Sequence, residues 1–235
     1  MIGTFLNIGT VLIGGTIGML LGNRIPDRLK NTVVAGLGLF TMAYGLVNFS
    51  KSQNVLVVLG AILVGALLGE WWQIEEGLRR FGGWLESHLM RERSEGSENR
   101  FVPGFLAASL IFCVGPMAIL GSIQDGLTGD YRTLAIKAVL DGFGALAFAS
   151  SLGIGVLFST LVILVYQGGL TLLATQVQAV VTPDMMTEMT AVGGVILIGI
   201  AIGSLLEIKP IRSGNFLPAL VVAPVLVVLF KLLGI

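Results

Sequence analysis

The chain has 235 residues, of which 54% are apolar and only 12% charged, and its 14 Lys+Arg balance its 14 Asp+Glu. Soluble domains carry about 25% charged residues. This composition therefore excludes a disordered chain and an ordinary cytosolic enzyme, and zero net charge removes the case for a nucleic-acid partner. A mean hydropathy of +0.92 goes with 33 glycines, a share about twice the norm. Together they fit helices packed closely in lipid. The expected fold is all-α: a polytopic transmembrane helix bundle forming one integral membrane domain over residues 1–235.

Crossing roughly 30 Å of hydrocarbon takes about 20 mostly apolar residues. Eight runs qualify: 2–22, 31–49, 54–72, 103–122, 133–149, 155–178, 189–206 and 214–233. No cationic stretch precedes the first run and no small-residue cleavage site follows it, so it reads as a retained helix and not a signal peptide. Gly14, Gly18 and Gly22 stand four apart and clear one helix face, which lets a second backbone approach. That face packs within one chain, forms a seam between two copies in a homo-oligomer (a dimer is expected), or lines a narrow pore. A ladder recurs at Gly9, Gly14 and Gly18, at Gly60, Gly65 and Gly69, and at Gly194, Gly199 and Gly203. All three fall in odd-numbered spans, so a duplication would be of the parallel kind, unlike the inverted repeats of many transporters.

Residues 73–100 hold eleven of the charged residues. Ile74, Leu78, Phe81, Leu85 and Leu89 recur at helical spacing opposite Glu75, Glu76, Arg79, Arg80 and Glu86. That pattern predicts an amphipathic helix on the cytoplasmic interface, with Trp71, Trp72 and Trp84 at headgroup depth and a loose SEGSEN tail behind it. The helix is a membrane-resting connector or a docking site. The connections 23–30, 73–100, 150–154 and 207–213 share one face and hold ten Lys/Arg against three on the other. By the positive-inside rule both termini lie outside the cytoplasm.

The most polar stretch at membrane depth is 113–151. In span 103–122, Gly115-Pro116 predicts a kink, because proline has no N–H to bond the Phe112 carbonyl. A freed carbonyl in lipid needs protein or a wet cavity around it, and Phe112 and Pro116 thereby join the candidate pathway. Gln124, Asp125 and Asp130 fall in the short connection that follows, where the acids read as an entry funnel or as solvated loop residues. Asp141 comes about eight residues into span 133–149, roughly 12 Å deep at 1.5 Å per residue. Lys137, one turn away, pairs with it. The two read as a structural ion pair or as a cation or proton site whose occupant competes with the lysine. Ser150 and Ser151 offer hydroxyls at an uncharged corner, and Gln167 reads as interhelical glue within span 155–178.

Elsewhere the polar residues read as bland. Asn7, Glu70, Glu207 and Asn215 stand near span ends, His88 belongs to the interfacial helix, and Cys113 reads as a small buried residue. There is no P-loop, GxSxG, HExxH or CxxC, so no enzyme and no cofactor are expected, and no metal-ligand set is legible. The partners expected are the lipid bilayer, a second copy, and a monovalent cation or small solute.

The run CVGPMAILGSIQDGLTGDY…LAIKAVLDGFGALAFASSLGIGVLFS, with the N-terminal GTFLNIGTVLIGGTIGMLLG and the late IKPIRSGNFLPALVVAPVL, closely resembles the YqgA/YdfK-like family of prokaryotic multi-pass membrane proteins. The likeness spans essentially the whole chain. It implies a protein of the prokaryotic inner membrane with no assigned activity, for which a sodium channel or pump has been suggested. The Val-Gly-Pro after Cys113 departs from the Val-Gly-Ala expected there. The leading expectation is thus a cation (sodium) or small-solute transporter or channel built on Asp141. The alternative is a non-transporting scaffold or regulator acting through the 73–100 helix.

Overall fold

The computed structural model describes residues 1–22, 26–89 and 100–233. The SEGSEN tail and its flanks, within 90–99, and the start of the first connection, 23–25, lie outside the described residues. Among those described, the chain is helical and has no strand: α1 (Ile2–Gly22), α2 (Asp27–Phe49), α3 (Val55–Trp72), α4 (Ile74–Leu89), α5 (Phe101–Val114), α6 (Pro116–Thr128), α7 (Arg132–Leu152), α8 (Gly155–Leu172), α9 (Ala174–Val180), α10 (Pro183–Ile200) and α11 (Ala219–Leu233). A π-helical turn, Ala201–Leu205, continues α10, and a 3-10 turn, Ser213–Phe216, precedes α11.

The apolar runs appear as helices with shifted ends. The run 103–122 is two helices, α5 and α6, bent by 61°. The break falls at Gly115, and Pro116 heads α6, where a missing N–H is least costly. Helix α6 continues to Thr128, so Gln124 and Asp125 are helical residues and not part of a loop. The run 155–178 ends at Leu172 and a short helix, α9, follows it. The last run begins as the 3-10 turn, and the one before it begins six residues earlier, at Pro183, where the Thr182 hydroxyl caps α10.

Among the described residues, seven helices are long and apolar enough to cross a membrane, and the bent pair α5–α6 brings the number to eight if it is one span. The glycine seam of α1 fixes its direction against α7. A methyl group on Gly14, Gly18 or Gly22 would lie 2.1, 2.2 or 2.5 Å from the carbonyl oxygens of Gly142, Leu146 and Ser150 respectively. The numbers rise together, so α1 and α7 run parallel with backbones in contact.

Contacts divide the chain into two compact units, each assembled from separate segments. The first comprises Met1–Gly36, Glu76–Cys113 and Met117–Ala174. It holds the α1–α7 seam, with α8 against both helices. It also holds an apolar cluster in which Leu85 of α4 packs on Phe101, Phe105 and Leu106 of α5. The predicted apolar stripe of α4 is thus used for packing, while Trp84 remains exposed.

The second unit comprises Leu37–Glu75, Val114–Pro116 and Thr175–Ile235. Here the ladder of α3 meets the 3-10 turn and α11: methyl groups on Gly69 and Gly65 would lie 1.9 Å from the Asn215 oxygen and 2.5 Å from the Ala219 nitrogen. These numbers run in opposite senses, so α3 and α11 are antiparallel. Gly199 and Gly203 face Ser213 and Ile211. The shared glycine spacing of α1 and α3 therefore serves two different packing geometries. In both helices the face is filled from within the chain.

Candidate polar site beneath the first helix

Thr4, Asn7, Val11, Gly14 and Gly18 stand three and four apart on α1 and are all buried. They form one face, polar at its start and glycine-lined further on. The glycines draw α1 onto α7, and that close approach carries the polar turn of α1 into the protein interior. Asn7 is fully buried. The sequence reading put it at a wet span end; its position on the glycine face is what buries it.

Helix α7 supplies the charged partners. Asp141 is the tenth of twenty-one residues in α7, and Lys137 forms an i,i+4 salt bridge to its Oδ2. The lysine and aspartate side chains are 6% and 12% exposed. Asn7 Nδ2 donates to the same Asp141 oxygen at 2.9 Å and to Gln167 Oε1 of α8 at 3.1 Å. Gln167 Nε2 in turn donates to Thr4 Oγ1 at 3.4 Å. Thr10 Oγ1 donates to the Ala138 carbonyl at 2.6 Å and fastens α1 to α7 one turn further on. Three helices thus meet on a single amide. Asn7 Oδ1 is closed off from solvent and has no hydrogen-bond partner. Such a buried acceptor is costly.

The other expected site residues are distributed around this centre. Asp125 is buried, and its Oδ2 accepts from the Gly3 amide at 3.1 Å. A carboxylate there satisfies a free amide and complements the positive end of the α1 dipole. Gly3 and Asn7 are i,i+4, so Asp125 contacts α1 one turn from the Asn7 amide. Ser122, one turn earlier on α6, is fully buried with an unpartnered hydroxyl. Gln124 Oε1 accepts from Thr133 Oγ1 at 2.7 Å and joins α6 to the start of α7.

Asp130 is at the surface and forms a salt bridge at 2.9 Å with Arg132. The three carboxylates therefore do not share a funnel: Asp125 caps α1 and pairs with the Met1 amino group at 3.1 Å, Asp130 pairs with Arg132 at the surface, and Asp141 pairs with Lys137. Hydrogen bonds from Arg132 hold the Asp130 carboxyl below its ordinary range. Stabilisation by a carboxylate lowered in the folded state is complete above the unfolded pKa and is lost as pH falls through the folded value. Asp130→Asn is thus expected to lower the thermal midpoint slightly at neutral pH. The two midpoints should converge in acid, and a gap that widens in acid contradicts the assignment.

Phe112 is buried and its ring packs 6.3 Å from Phe148. Cys113 beside it is buried. Ser150 and Ser151 lie nine and ten residues past Asp141 on the same helix, about 14 Å away along its axis. The Ser150 hydroxyl donates back to the Ala147 carbonyl at 2.8 Å, and the pair stays outside the polar centre. Among the described residues, no group of three or more His, Cys, Asp or Glu side chains could hold a metal ion.

The sequence reading missed Thr4, Asn7 and Thr10. Their signal was the register they share with Gly14 and Gly18. The second unit has a buried carboxylate of its own, also missed. Glu188 of α10 accepts from Ser52 Oγ at 2.7 Å and from the amides of Gln53 and Asn54 at 2.8 and 3.0 Å, all ahead of α3. All its partners are helix-starting donors, so it is a cap. Glu70, expected at a wet span end, pairs with Arg212 and accepts from Asn215 Nδ2 at 2.6 Å.

The site unites the start of α1, the middle of α7 and Gln167 of α8. The chain is 33% identical over 222 residues to the uncharacterised protein YqgA of Escherichia coli (strain K12), covering 94% of each chain. It is 27% identical over 239 residues to the uncharacterised membrane protein YdfK of Bacillus subtilis (strain 168), covering all of this chain and 99% of the relative. No solved structure matches. Residues 2–228 match the family described as protein of unknown function DUF554. With nearly its whole length and its polar centre inside that match, the chain belongs to the DUF554 family of multi-helix membrane proteins.

Proposed function

We propose that the chain is a transporter or channel for a monovalent cation, sodium being the first candidate, with Asp141 as the central ligand. The observation that carries this reading is the buried Lys137–Asp141 pair beside the unpartnered Oδ1 of Asn7. Ionised residues within a span are rare because each costs about 2.5–3.5 kcal/mol on insertion, and those that occur serve conduction more often than packing. A carboxylate, an idle amide oxygen and nearby hydroxyls are hard ligands, suited to a hard cation. In the paired state the lysine ammonium occupies the position the cation would take.

The reading involves no catalysis and no bound cofactor. Its partners are the bilayer and the cation. Association of two copies belongs to the reading as well and would use faces other than the glycine seam of α1. In this reading both termini lie on the non-cytoplasmic side of a prokaryotic inner membrane, which the positive-inside bias supports.

The test is ²²Na⁺ uptake into vesicles reconstituted with purified protein. Wild type is expected to take up the ion above empty vesicles, and Asp141→Asn is expected to fall to that background. Uptake by the variant equal to wild type refutes Asp141 as the ligand.

A further inference from the structure

The amide of Asn7 has two ends, and only one of them is engaged. Its Nδ2 carries two hydrogens, and both have acceptors: Asp141 Oδ2 at 2.9 Å and Gln167 Oε1 at 3.1 Å. With both hydrogens committed, the plane of the amide is fixed and Oδ1 is turned away from the two acceptors. That oxygen is closed to solvent and has no partner.

Asp141 does not decide this orientation by itself. Its Oδ2 also receives the Lys137 ammonium, so a reversed amide would bring Oδ1 beside a donor able to satisfy it. What holds Nδ2 in place is the second acceptor, Gln167 Oε1. Gln167 is oriented in turn, because its Nε2 donates to Thr4 Oγ1 at 3.4 Å. Both side chains are buried. The small residue after Gln167 lets α8 approach the same turn of α1: a methyl group on Gly168 would lie 3.9 Å from Thr4 Cγ2. Thr4 thus sets Gln167, and Gln167 sets Asn7.

We infer that Gln167 is a positioning residue that keeps Asn7 Oδ1 bare, ready to serve as the second protein ligand of a cation held at Asp141. This rests on the transport reading above. Gln167 does not touch the cation, since its own oxygen and nitrogen are engaged by Asn7 and Thr4. Its contribution is direction. Hard cations are held by several oxygens, and an oxygen already free of water and of donors binds without first giving up a hydrogen bond.

²²Na⁺ uptake by the full chain in liposomes is measured over a range of sodium concentrations. Gln167→Met fills similar space but offers Asn7 no acceptor. Its half-saturating sodium concentration is expected to rise about tenfold, equivalent to about 1.4 kcal/mol, with the maximal rate retained. Gln167→Glu keeps an oxygen for Asn7 and is expected to half-saturate no higher than wild type. A side chain needed only for packing predicts the reverse order, because methionine suits an apolar space better than glutamate. Thermal unfolding checks that each variant folds. If Gln167→Met does not fold, Thr4→Val removes the far anchor of Gln167 instead, and the same rise is expected there and not in Thr4→Ser.

Half-saturation of Gln167→Met equal to that of wild type overturns the positioning role and leaves the transport reading standing. So do equal rises in Gln167→Met and Gln167→Glu. Absence of uptake by wild type overturns both.

Discussion

Gly14→Ala and Gly18→Ala are each expected to destabilise the protein by about 3 kcal/mol, the upper end of what overpacked cores show. The added methyl would lie 2.1 Å from the Gly142 oxygen in the first case and 2.2 Å from the Leu146 oxygen in the second. The atoms that must give way are backbone on both sides, with no rotamer to turn aside. The helices have to part, and the dispersion contacts of the whole seam weaken with them. Gly9→Ala is the control: nothing lies within 4 Å of its added methyl, so the change is neutral or stabilises by up to about 1 kcal/mol. Thermal unfolding in detergent ranks the three. Equal midpoints for Gly9→Ala and Gly18→Ala would dissolve the seam. A functional consequence follows as well, because the seam holds Asn7 against Asp141, and sodium uptake should fall with it.

The second large effect concerns the ion pair. Asp141→Asn removes the counter-charge of a lysine whose side chain is 6% exposed. Breaking a buried pair from one side costs about 3–5 kcal/mol, whereas replacing both partners by uncharged groups of similar size is often neutral. The double variant Asp141→Asn/Lys137→Met is therefore expected to recover most of the loss in thermal stability. It should still carry no sodium, because the carboxylate is gone. That outcome separates the ligand role of Asp141 from its part in folding. A double variant as unstable as the single one would mean that Lys137 is not held by Asp141.

These effects differ in how far the sequence announces them. The i,i+4 placement of Lys137 and Asp141 was legible because both lie on one helix, where spacing alone sets proximity. The break at Gly115-Pro116 was legible for a similar reason, as proline withdraws a hydrogen bond within its own turn. The role of Asn7 was not. Its partners are 134 and 160 residues away along the chain, and nothing local to α1 names them. Asp125 was misplaced in a loop because an apolar-run criterion stops at the first polar residues, whereas α6 runs on to Thr128. Its carboxylate is stable there because the first turn of α1 lies close by to donate a backbone amide.

What the sequence determined by itself is the inventory of spans and their punctuation. Lipid offers no hydrogen bonds, so an apolar run of sufficient length has to satisfy its backbone internally, and the helix is its only local solution. Which helix faces which is a different kind of quantity. Lipid tails are as apolar as leucine, so no hydrophobic gradient sorts the pairs, and the choice falls to shape and to the few polar groups that need partners. Only the tertiary structure, by laying the glycine face of α1 parallel to α7, could bring Thr4, Asn7, Lys137, Asp141 and Gln167 into one buried network.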